Sequence, residues 1–331
     1  MKNKILFFTS SLDGGGAEKQ ILRIYNSIKA DYSCVFYTAK KNYSLEETLS
    51  LNKRKTSFAV VSLIKEIKRF RPTYIFTTLP TPNIINVLIK KYIYKEAKSI
   101  VRIANFNLYK RHTKFIIRNA DIVCFNSFEN MQRYSEKYPK EVNKFNYLNN
   151  IVIPTQDRKK KSNRRSPLKV VAVSRLVKQK GLDLLIMAIN SLGEEVQVDI
   201  FGDGPERERL NKLDRGNFVN LKGFQENINW DSYDLFVLPS LKEGMSNSLL
   251  EAQQHNVFSI VSDCKSGNKE VIELTKNGVI FKSGDLDDLK VKINNYINGD
   301  YERIDSKIIV ENNFSEDSAK KKMIEIISTR L

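Results

Sequence analysis

The sequence predicts an α/β protein built from two doubly wound, Rossmann-like domains that face a central cleft. Short apolar runs alternate with helical patterns through the first half, and the alternation restarts after a polar segment near the middle. This arrangement is typical of parallel sheets covered by helices. The length of 331 residues fits about two domains. Hydrophobic residues make up 41% of the chain, which is enough for a full core in each domain.

Eleven apolar runs are predicted as strands: 4–9, 33–38, 74–77, 99–103 and 121–125, then 168–173, 196–201, 218–221, 234–238, 257–261 and 278–281. Nine helical patterns lie between or after them: 17–30, 62–70, 82–92, 127–137, 181–192, 206–213, 246–255, 285–297 and 315–329. We place the first domain at 1–154, a basic linker at 155–167, the second domain at 168–312 and a last helical segment at 313–331. Open parallel sheets bind ligands at the carboxyl ends of their strands, so we expect the ligand between these two edges.

Composition excludes several classes of protein. No apolar run reaches the roughly 18 residues of a membrane span, and the start reads as a strand rather than a signal peptide. Three scattered cysteines indicate a reducing compartment without a disulfide framework. With only His112 and His255 in the chain, we expect no metal site built on histidine.

The positive charge belongs to the first half. The net charge is +17, and residues 1–168 carry 33 Lys and Arg against 12 Asp and Glu, whereas residues 169–331 are net negative. Basic clusters lie at 53–55, 65–71, 90–98 and 110–118. Such a surface could attract nucleic acid or an anionic bilayer. The alternative is that the lysines simply solvate the surface, as in a generally lysine-rich proteome. No nucleic-acid-binding motif supports the first of these alternatives.

Two glutamates eight residues apart lie in the most informative stretch of the chain, residues 239–252. Glu243 lies in the predicted loop after strand 234–238, and Glu251 lies about one turn into the following helix, for which Ser246 or Asn247 is a suitable N-cap. Both therefore belong to a ligand-binding edge. Taken singly, each could be an ordinary surface carboxylate.

Cations follow the first strand of the second half. Arg175 offers a planar fork for phosphate oxygens, Lys180 adds a point charge, and Gly181 opens the next helix, whose N-terminus favours anions. This combination predicts a diphosphate site, although a basic pair in a loop is also a common surface feature.

Glycine turns follow two other strands. Gly202 and Gly204 lie after strand 196–201, and Gly15 and Gly16 lie in the run Gly14–Gly16 after strand 4–9. Glycine permits close approach of the backbone to a nucleotide, but it also serves simple tight turns. Neither run matches a dinucleotide fingerprint or a Walker loop.

Together these motifs resemble those of glycosyltransferase family 4, the retaining nucleotide-sugar transferases of the GT-B fold. The matching elements occur in the family's order over nearly the whole chain, and their combination is specific. They are Gly15–Glu18, Ser174–Gly181, Gly202–Pro205, Pro239–Ala252 and Gly267–Glu270. The resemblance implies that the first domain binds the acceptor, the second binds the nucleotide sugar, and the last helix crosses back to the first domain.

The resemblance also implies site residues. The catalytic set would be Arg175 and Lys180, which stabilise the leaving diphosphate, and Glu243, which meets the donor sugar. Glu251 would hold the ribose. The remaining donor contacts would be Gly15, Gly16, Gly202, Gly204, Gly223, Phe224, Gly244, Met245 and Ser246. No cofactor and no metal are expected, because cations replace a metal at the diphosphate.

The chain departs from the family at one position. Many members carry a histidine after the fourth strand of the first domain, near the donor sugar, and here that region reads Val-Arg-Ile-Ala-Asn from residue 101. Arg102 or Asn105 would take its place.

The predicted function is therefore retaining transfer of a sugar, with a UDP-sugar favoured, to a hydroxyl of a glycan or lipid-linked acceptor in bacterial surface polysaccharide synthesis. We expect a cytoplasmic protein on the anionic inner face of the membrane, with nucleotide sugar and acceptor as partners and no nucleic acid. Alternatives are another GT-B enzyme, such as a nucleotide-sugar epimerase, or a basic nucleic-acid-binding protein.

Overall fold

The computed structural model describes residues 3–12, 15–40, 49–52, 55–104, 110–155 and 167–328. The chain divides into two compact units: unit 1 is Met1–Ile151 with Phe314–Leu331, and unit 2 is Val152–Asn313. The predicted linker, 155–167, lies outside the described residues except for its two ends. No helix in the described part of the chain is long and apolar enough to span a membrane.

Unit 1 contains a sheet of seven described strands in the order β3-β2-β1-β4-β5-β6-β7, with every pair parallel. Its strands are β1 (Lys4–Thr9), β2 (Ser33–Thr38), β3 (Leu49–Ser50), β4 (Tyr74–Thr78), β5 (Lys98–Ile103), β6 (Ile122–Phe125) and β7 (Phe145–Tyr147). The five predicted strands are confirmed to within one residue at each end. The short edge strands β3 and β7 escaped prediction because they carry too few residues for an alternating pattern.

Unit 2 repeats this plan with six described parallel strands in the order β10-β9-β8-β11-β12-β13. They are β8 (Leu168–Val173), β9 (Val196–Phe201), β10 (Val219–Gly223), β11 (Leu235–Leu238), β12 (Phe258–Ser262) and β13 (Gly278–Phe281). In both sheets the first strand is central and the chain winds outward to each side. The fold class predicted from the sequence is confirmed.

Helices cover both faces of each sheet. Those of unit 1 are α1 (Gly16–Ile28), α2 (Val60–Phe70), α3 (Pro80–Tyr92), α4 (Arg111–Asn119) and α5 (Phe128–Lys137). Those of unit 2 are α6 (Leu182–Leu192), α7 (Arg207–Leu213), α8 (Asn247–Gln254), α9 (Asn268–Thr275), α10 (Leu286–Asn298) and α11 (Lys307–Asn313). The last helix, α12 (Glu316–Ser328), belongs to unit 1 and packs on α1.

Aromatic side chains of the central strands fill the core of unit 1. Phe7 stacks on Phe36 and contacts Tyr25 of α1 edge-on, with ring centroids 6.0 and 5.5 Å apart. Met323 and Ile327 of α12 are fully buried in the same cluster. The last helix thus completes a hydrophobic core whose other members come from the first 151 residues.

The strand order fixes where a ligand can bind. Each sheet reverses its winding between two neighbouring strands, β1 and β4 in unit 1 and β8 and β11 in unit 2. Loops that leave the carboxyl ends of such a pair diverge and open a crevice. The predicted site residues Gly15, Arg175 and Glu243 all lie in loops or turns that follow one of these four strands.

Candidate active site

The loop after β8 presents one exposed cation and one buried cation. Arg175 is exposed, and its side chain forms no hydrogen bond or ion pair with a residue that the structure describes. Its backbone neighbours are fixed: Ser174 N–H donates to the carbonyl of Phe201 over 3.0 Å and Leu176 N–H to that of Asp203 over 2.9 Å. The guanidinium is therefore held on a rigid backbone and remains available to an anionic ligand.

Lys180 forms an ion pair with Glu243. Its ammonium donates to Oε2 of the carboxylate, and the two side chains are only 13% and 10% exposed. Ser240 Oγ donates to the same oxygen over 3.1 Å. The structure thus brings together two predicted site residues and adds Ser240, which sequence reasoning missed.

Gln179 ties the same two loops together. Its side-chain amide donates to the carbonyl of Lys242 over 2.7 Å, and its own carbonyl accepts from Leu241 N–H over 2.9 Å. Gly181, with φ +61°, lies against this junction, and a Cβ there would come 2.2 Å from the carbonyl oxygen of Pro239. No side chain fits at this position, so the loops after β8 and β11 behave as one packed unit.

The glycines in the turn after β9 are also explained by backbone atoms that leave no room for a Cβ. A Cβ on Gly202 would lie 1.9 Å from the carbonyl oxygen of Ser174, and one on Gly204 would lie 2.4 Å from that of Leu176. Gly202 N–H also donates to the carbonyl of Gly223 over 2.8 Å. Close approach of the protein's own backbone therefore accounts for Gly202 and Gly204, whether or not a nucleotide also contacts them.

Gly223 ends β10 with φ +74°, and nothing lies within 4 Å of its hypothetical Cβ. Phe224 follows with a side chain that is 63% exposed. An exposed aromatic ring beside an open turn suits the stacking of a planar base. The assignment of Gly223 and Phe224 to the base remains a prediction.

Three predicted contacts of the donor, Gly244, Met245 and Ser246, lie directly before α8. Ser246 caps the helix, its Oγ accepting from Leu249 N–H, while its own N–H donates to Oδ1 of Asn268 over 3.1 Å. Residues 244–246 are predicted contacts of the nucleotide-sugar donor. The backbone amide of Ser246 already forms a hydrogen bond within the protein. The carbonyl of Gly244 accepts from Gly267 N–H over 2.6 Å. The start of α9 therefore supports this loop, a role that the Gly-Asn sequence hinted at.

The remaining residues of this segment lie close by in the chain. Met245 is buried with 6% exposure, and Glu251 is half-buried on α8. Burial raises the pKa of the Cys264 thiol, and the charges of Glu243 and Lys180 act on it in opposite directions. A protonated thiol therefore lies near the ion pair at neutral pH.

In unit 1 the glycine turn after β1 is closed by a carboxylate. Glu18 of α1 accepts from Gly15 N–H through Oε2 over 3.0 Å and from Ser11 Oγ through Oε1 over 2.9 Å. Gly15 is the N-cap, and Gly16 is the first residue of the helix. The backbone amide of Gly15, a predicted contact of the nucleotide sugar, therefore already donates to a capping carboxylate.

Arg102 is not a surface residue. Its side chain is 1% exposed, and Nη2 donates to Oδ1 of Asn150 over 2.6 Å. Burial lowers the pKa of this guanidinium to about 10. Asn105, the other candidate for the missing histidine, lies outside the described residues. A donor-sugar role for either residue remains a prediction.

A small cavity of about 40 Å³ lies beside the end of β5. It is lined by residues of α3, α4 and β5: Leu79, Pro80, Asn83, Arg102, Ile103, Ala104, His112, Thr113 and Ile116. His112, one of the two histidines of the chain, therefore lines the same cavity as Arg102 at the carboxyl edge of the sheet. Leu79 has φ +73°, a strained conformation for a non-glycine residue of the kind that clusters at functional sites.

No group of three or more His, Cys, Asp or Glu side chains in the described part of the chain could hold a metal ion. Independence from metals and cofactors remains a prediction.

Two doubly wound units, each a parallel sheet covered by helices with a glycine-containing loop or turn at its switch point, define a protein of the two-domain Rossmann-like α/β class. Residues 154–321 match the family model described as glycosyl transferases group 1. This match covers half of the chain, and the chain belongs to that family. Family membership does not favour the epimerase or the nucleic-acid-binding protein, and assignment to family 4 remains a prediction.

Curated relatives agree with the family. An uncharacterized glycosyltransferase of Methanocaldococcus jannaschii is 28% identical over 63% of this chain and 60% of its own length. A putative colanic acid biosynthesis glycosyltransferase of Salmonella typhimurium, WcaL, is 26% identical over 49% of this chain and 45% of its own. The chain thus spans about half to three-fifths of the length of these relatives.

A solved structure shows the same fold over nearly the whole chain. Anabaena HepE in complex with UDP and glucose has a TM-score of 0.80 and 18% identity, and the match covers 99% of this chain and all of that one. At this identity the likeness establishes the fold of both domains and no more.

Proposed function

We propose that this protein is a retaining hexosyltransferase that moves a sugar from a nucleoside diphosphate sugar to a hydroxyl of a glycan or lipid-linked acceptor. The observation that carries the proposal is the arrangement after β8 and β11. Arg175 is exposed and has no side-chain partner among the described residues, and it shares two loops with the buried Lys180–Glu243 pair. Gly181 allows these two loops to pack closely together. Positive charge at the carboxyl edge of a doubly wound sheet suits a diphosphate.

In this reaction the bond between the anomeric carbon and the diphosphate oxygen breaks, and the acceptor oxygen bonds to the same face of that carbon. The acceptor proton passes to the departing diphosphate oxygen, so the protein needs no carboxylate base. Arg175 and Lys180 act by stabilising the negative charge that develops on the leaving group. The ammonium of Lys180 has three N–H donors, so pairing with Glu243 leaves donors for a phosphate oxygen.

Glu243 then has two roles within the proposal. Its carboxylate holds Lys180 in place through Oε2, where Ser240 also donates. The other carboxylate oxygen is the candidate acceptor for a hydroxyl of the donor sugar. Glu251 on α8 is the candidate for the ribose hydroxyls, and no cofactor or metal takes part.

Two of the similar proteins support the finer parts of the proposal. UDP and glucose are bound by HepE, which supports a UDP-sugar donor. Colanic acid biosynthesis in the name of WcaL supports bacterial surface polysaccharide as the product. Both assignments are transferred from relatives that differ greatly from this chain in sequence.

We place the protein at the anionic inner face of the membrane because unit 1 presents apolar side chains beside lysines. Phe58 lies two residues before α2 and Val61 is the second residue of that helix, and they are 61% and 79% exposed. The Lys55 ammonium lies 5.9 Å from the centre of the Phe58 ring, and Lys65 is exposed one turn beyond Val61. Apolar groups that insert and lysines that meet lipid phosphates are the combination that holds a protein at a bilayer surface.

A donor screen tests the proposal. The protein should release nucleoside diphosphate from one UDP-sugar in preference to other nucleotide sugars, and NMR should show the α-configuration of an α-linked donor in the product. Lys178→Ala is the matched control for Lys180→Ala, because Lys178 is an exposed lysine of the same loop. Failure to turn over any nucleotide sugar, or an inverted product, would refute the proposed reaction.

A further inference from the structure

Three neighbouring strands of unit 1 place polar side chains in one row. The register sets Phe8 beside Thr77, so the next residue, Thr9, lies beside Thr78. Thr78 in turn lies beside Arg102. Side chains two residues apart on a strand share a face. The residues two positions earlier on the three strands, Phe7, Phe76 and Ile100, all belong to the core beneath α1 and α12. Thr9, Thr78 and Arg102 therefore form a row on that face.

Every member of this row is buried with unused hydrogen-bonding atoms. Thr9 and Thr78 are 0% exposed and Arg102 is 1% exposed. Among the described residues no partner is found for Thr9 Oγ1, Thr78 Oγ1, or Nε and Nη1 of Arg102. Unpaired polar atoms are rare in protein interiors, and several at one place indicate a missing ligand, ion or water.

Arg102 adds a buried charge to the row. Its one hydrogen bond to a described residue goes to the neutral amide of Asn150, and no described carboxylate forms an ion pair with it. Cys124 and Tyr147 act electrostatically on it, and neither is a carboxylate. An isolated buried charge is costly unless an opposite charge compensates it.

The row lies directly beneath the ligand-binding edge of the sheet. Thr9 and Thr78 are the last residues of β1 and β4, and Arg102 is the last but one of β5. The residues that follow, Ser10, Leu79 and Ile103, are already partly exposed. A ligand group that enters between the first strands therefore meets the row immediately below the surface.

We propose that Thr9, Thr78 and Arg102 form a binding site for a phosphate group in the first domain. The guanidinium supplies charge and two N–H donors, and the two threonine hydroxyls supply further donors to phosphate oxygens. The site lies wholly in unit 1. The assignment of this phosphate to the acceptor rests on the proposed function.

Thermal unfolding of the full chain in chloride buffer, with and without inorganic phosphate, tests the site. At about 10 mM phosphate we expect the melting temperature to rise by about 3 °C or more. The rise should persist in Arg175→Ala, which weakens the proposed donor site, and should vanish in Arg102→Met. A sugar 1-phosphate is the second probe: a response to it assigns an acceptor phosphate, and a response to inorganic phosphate alone assigns a resident ion.

Two adjacent threonines provide the matched control. Thr77 and Thr78 are both 0% exposed, but Thr77 Oγ1 donates to Asn83 over 2.8 Å and accepts from Asn86 over 3.1 Å. Thr78→Val should keep the melting temperature in chloride and reduce the phosphate response. Thr77→Val should lower the melting temperature in chloride and keep the response.

Two results would overturn the site. A phosphate response lost in Arg175→Ala but kept in Arg102→Met would place the anion at the loop after β8 only. A wild-type melting temperature that does not rise with phosphate, whatever the effect of Arg102→Met in chloride, would refute the site. Neither result depends on transferase activity, so failure of this site and failure of the proposed function are distinguishable.

Discussion

Lys180 donates its ammonium to Oε2 of Glu243, and this contact joins the loops after two neighbouring strands, β8 and β11. The sequence suggests two independent roles, a cation for the diphosphate and a carboxylate for the sugar. The structure couples them, because each side chain is about nine-tenths buried and is the other's ion-pair partner. A substitution at either position therefore changes the environment of both groups.

Removal of the cation should destabilise the protein. Lys180→Met leaves the Glu243 carboxylate largely buried with Ser240 as its described partner, so we expect the free energy of unfolding to fall by about 1–3 kcal/mol. Glu243→Gln should cost less, because the amide oxygen still accepts hydrogen bonds. Urea denaturation measures both, with Lys178→Met as control. Equal stability of Lys180→Met and Lys178→Met would contradict a structural role for the pair.

The glycine turn after β9 should tolerate no side chain. Gly202→Ala would force a Cβ to within 1.9 Å of a carbonyl oxygen, and we expect a loss of about 3 kcal/mol or more. Gly223→Ala is the control, because it shares a positive φ but meets no atom within 4 Å, so it should cost about 1–2 kcal/mol. Denaturant midpoints that rank the two variants in the opposite order would refute the packing explanation.

Cys34 should make folding sensitive to alkaline pH. Burial raises the pKa of its thiol to about 12 from the ordinary value of 9.0. The folded state therefore binds the proton more tightly than the unfolded state. This stabilisation is complete below pH 9 and declines as pH rises from about 9 toward 12. Cys34→Ser should lose less stability between pH 8 and 10.5 in parallel urea titrations. Identical pH profiles would show that the thiol titrates normally.

Membrane docking should depend on the start of α2. We expect Phe58→Ser with Val61→Ser to reduce binding to anionic liposomes at least fivefold, because both exposed side chains are lost from the bilayer contact. Val142→Ser, at a 42% exposed position elsewhere in unit 1, is the matched control. Sedimentation with anionic and neutral vesicles gives the comparison. If the wild-type protein shows no preference for anionic vesicles at moderate salt, docking on an anionic membrane through this surface is refuted.

Strand positions could be predicted from the sequence because buried parallel strands are continuous apolar runs bounded by turns. Helix α4 was missed because 110–118 carries four Lys and Arg, which drew attention to charge. The buried face of that helix is only Thr113, Ile116 and Ile117, a stripe too short to stand out among the cations. Helix α9 was missed because it is mostly polar and its buried apolar residues are only Val271 and Ile272.

Sequence motifs indicate individual candidate residues of the site, but they do not indicate which of these residues contact one another. Arg175 and Glu243 stand in recognisable motifs, whereas the supporting roles of Gln179, Ser240 and Asn268 depend on which loops meet, and that is fixed by strand order. The row of Thr9, Thr78 and Arg102 depends on register between strands that are 69 and 24 residues apart in the chain. Nothing local in the sequence marks such a row.

Calorimetric titration of UDP into the full chain tests the central claim most directly. The account predicts that UDP binds, that Arg175→Ala weakens binding about tenfold or more through loss of charge-assisted hydrogen bonds, and that Lys178→Ala changes the affinity less than about twofold. Binding of UDP with the same affinity by Arg175→Ala and wild type, or no binding of any nucleoside diphosphate, would contradict it.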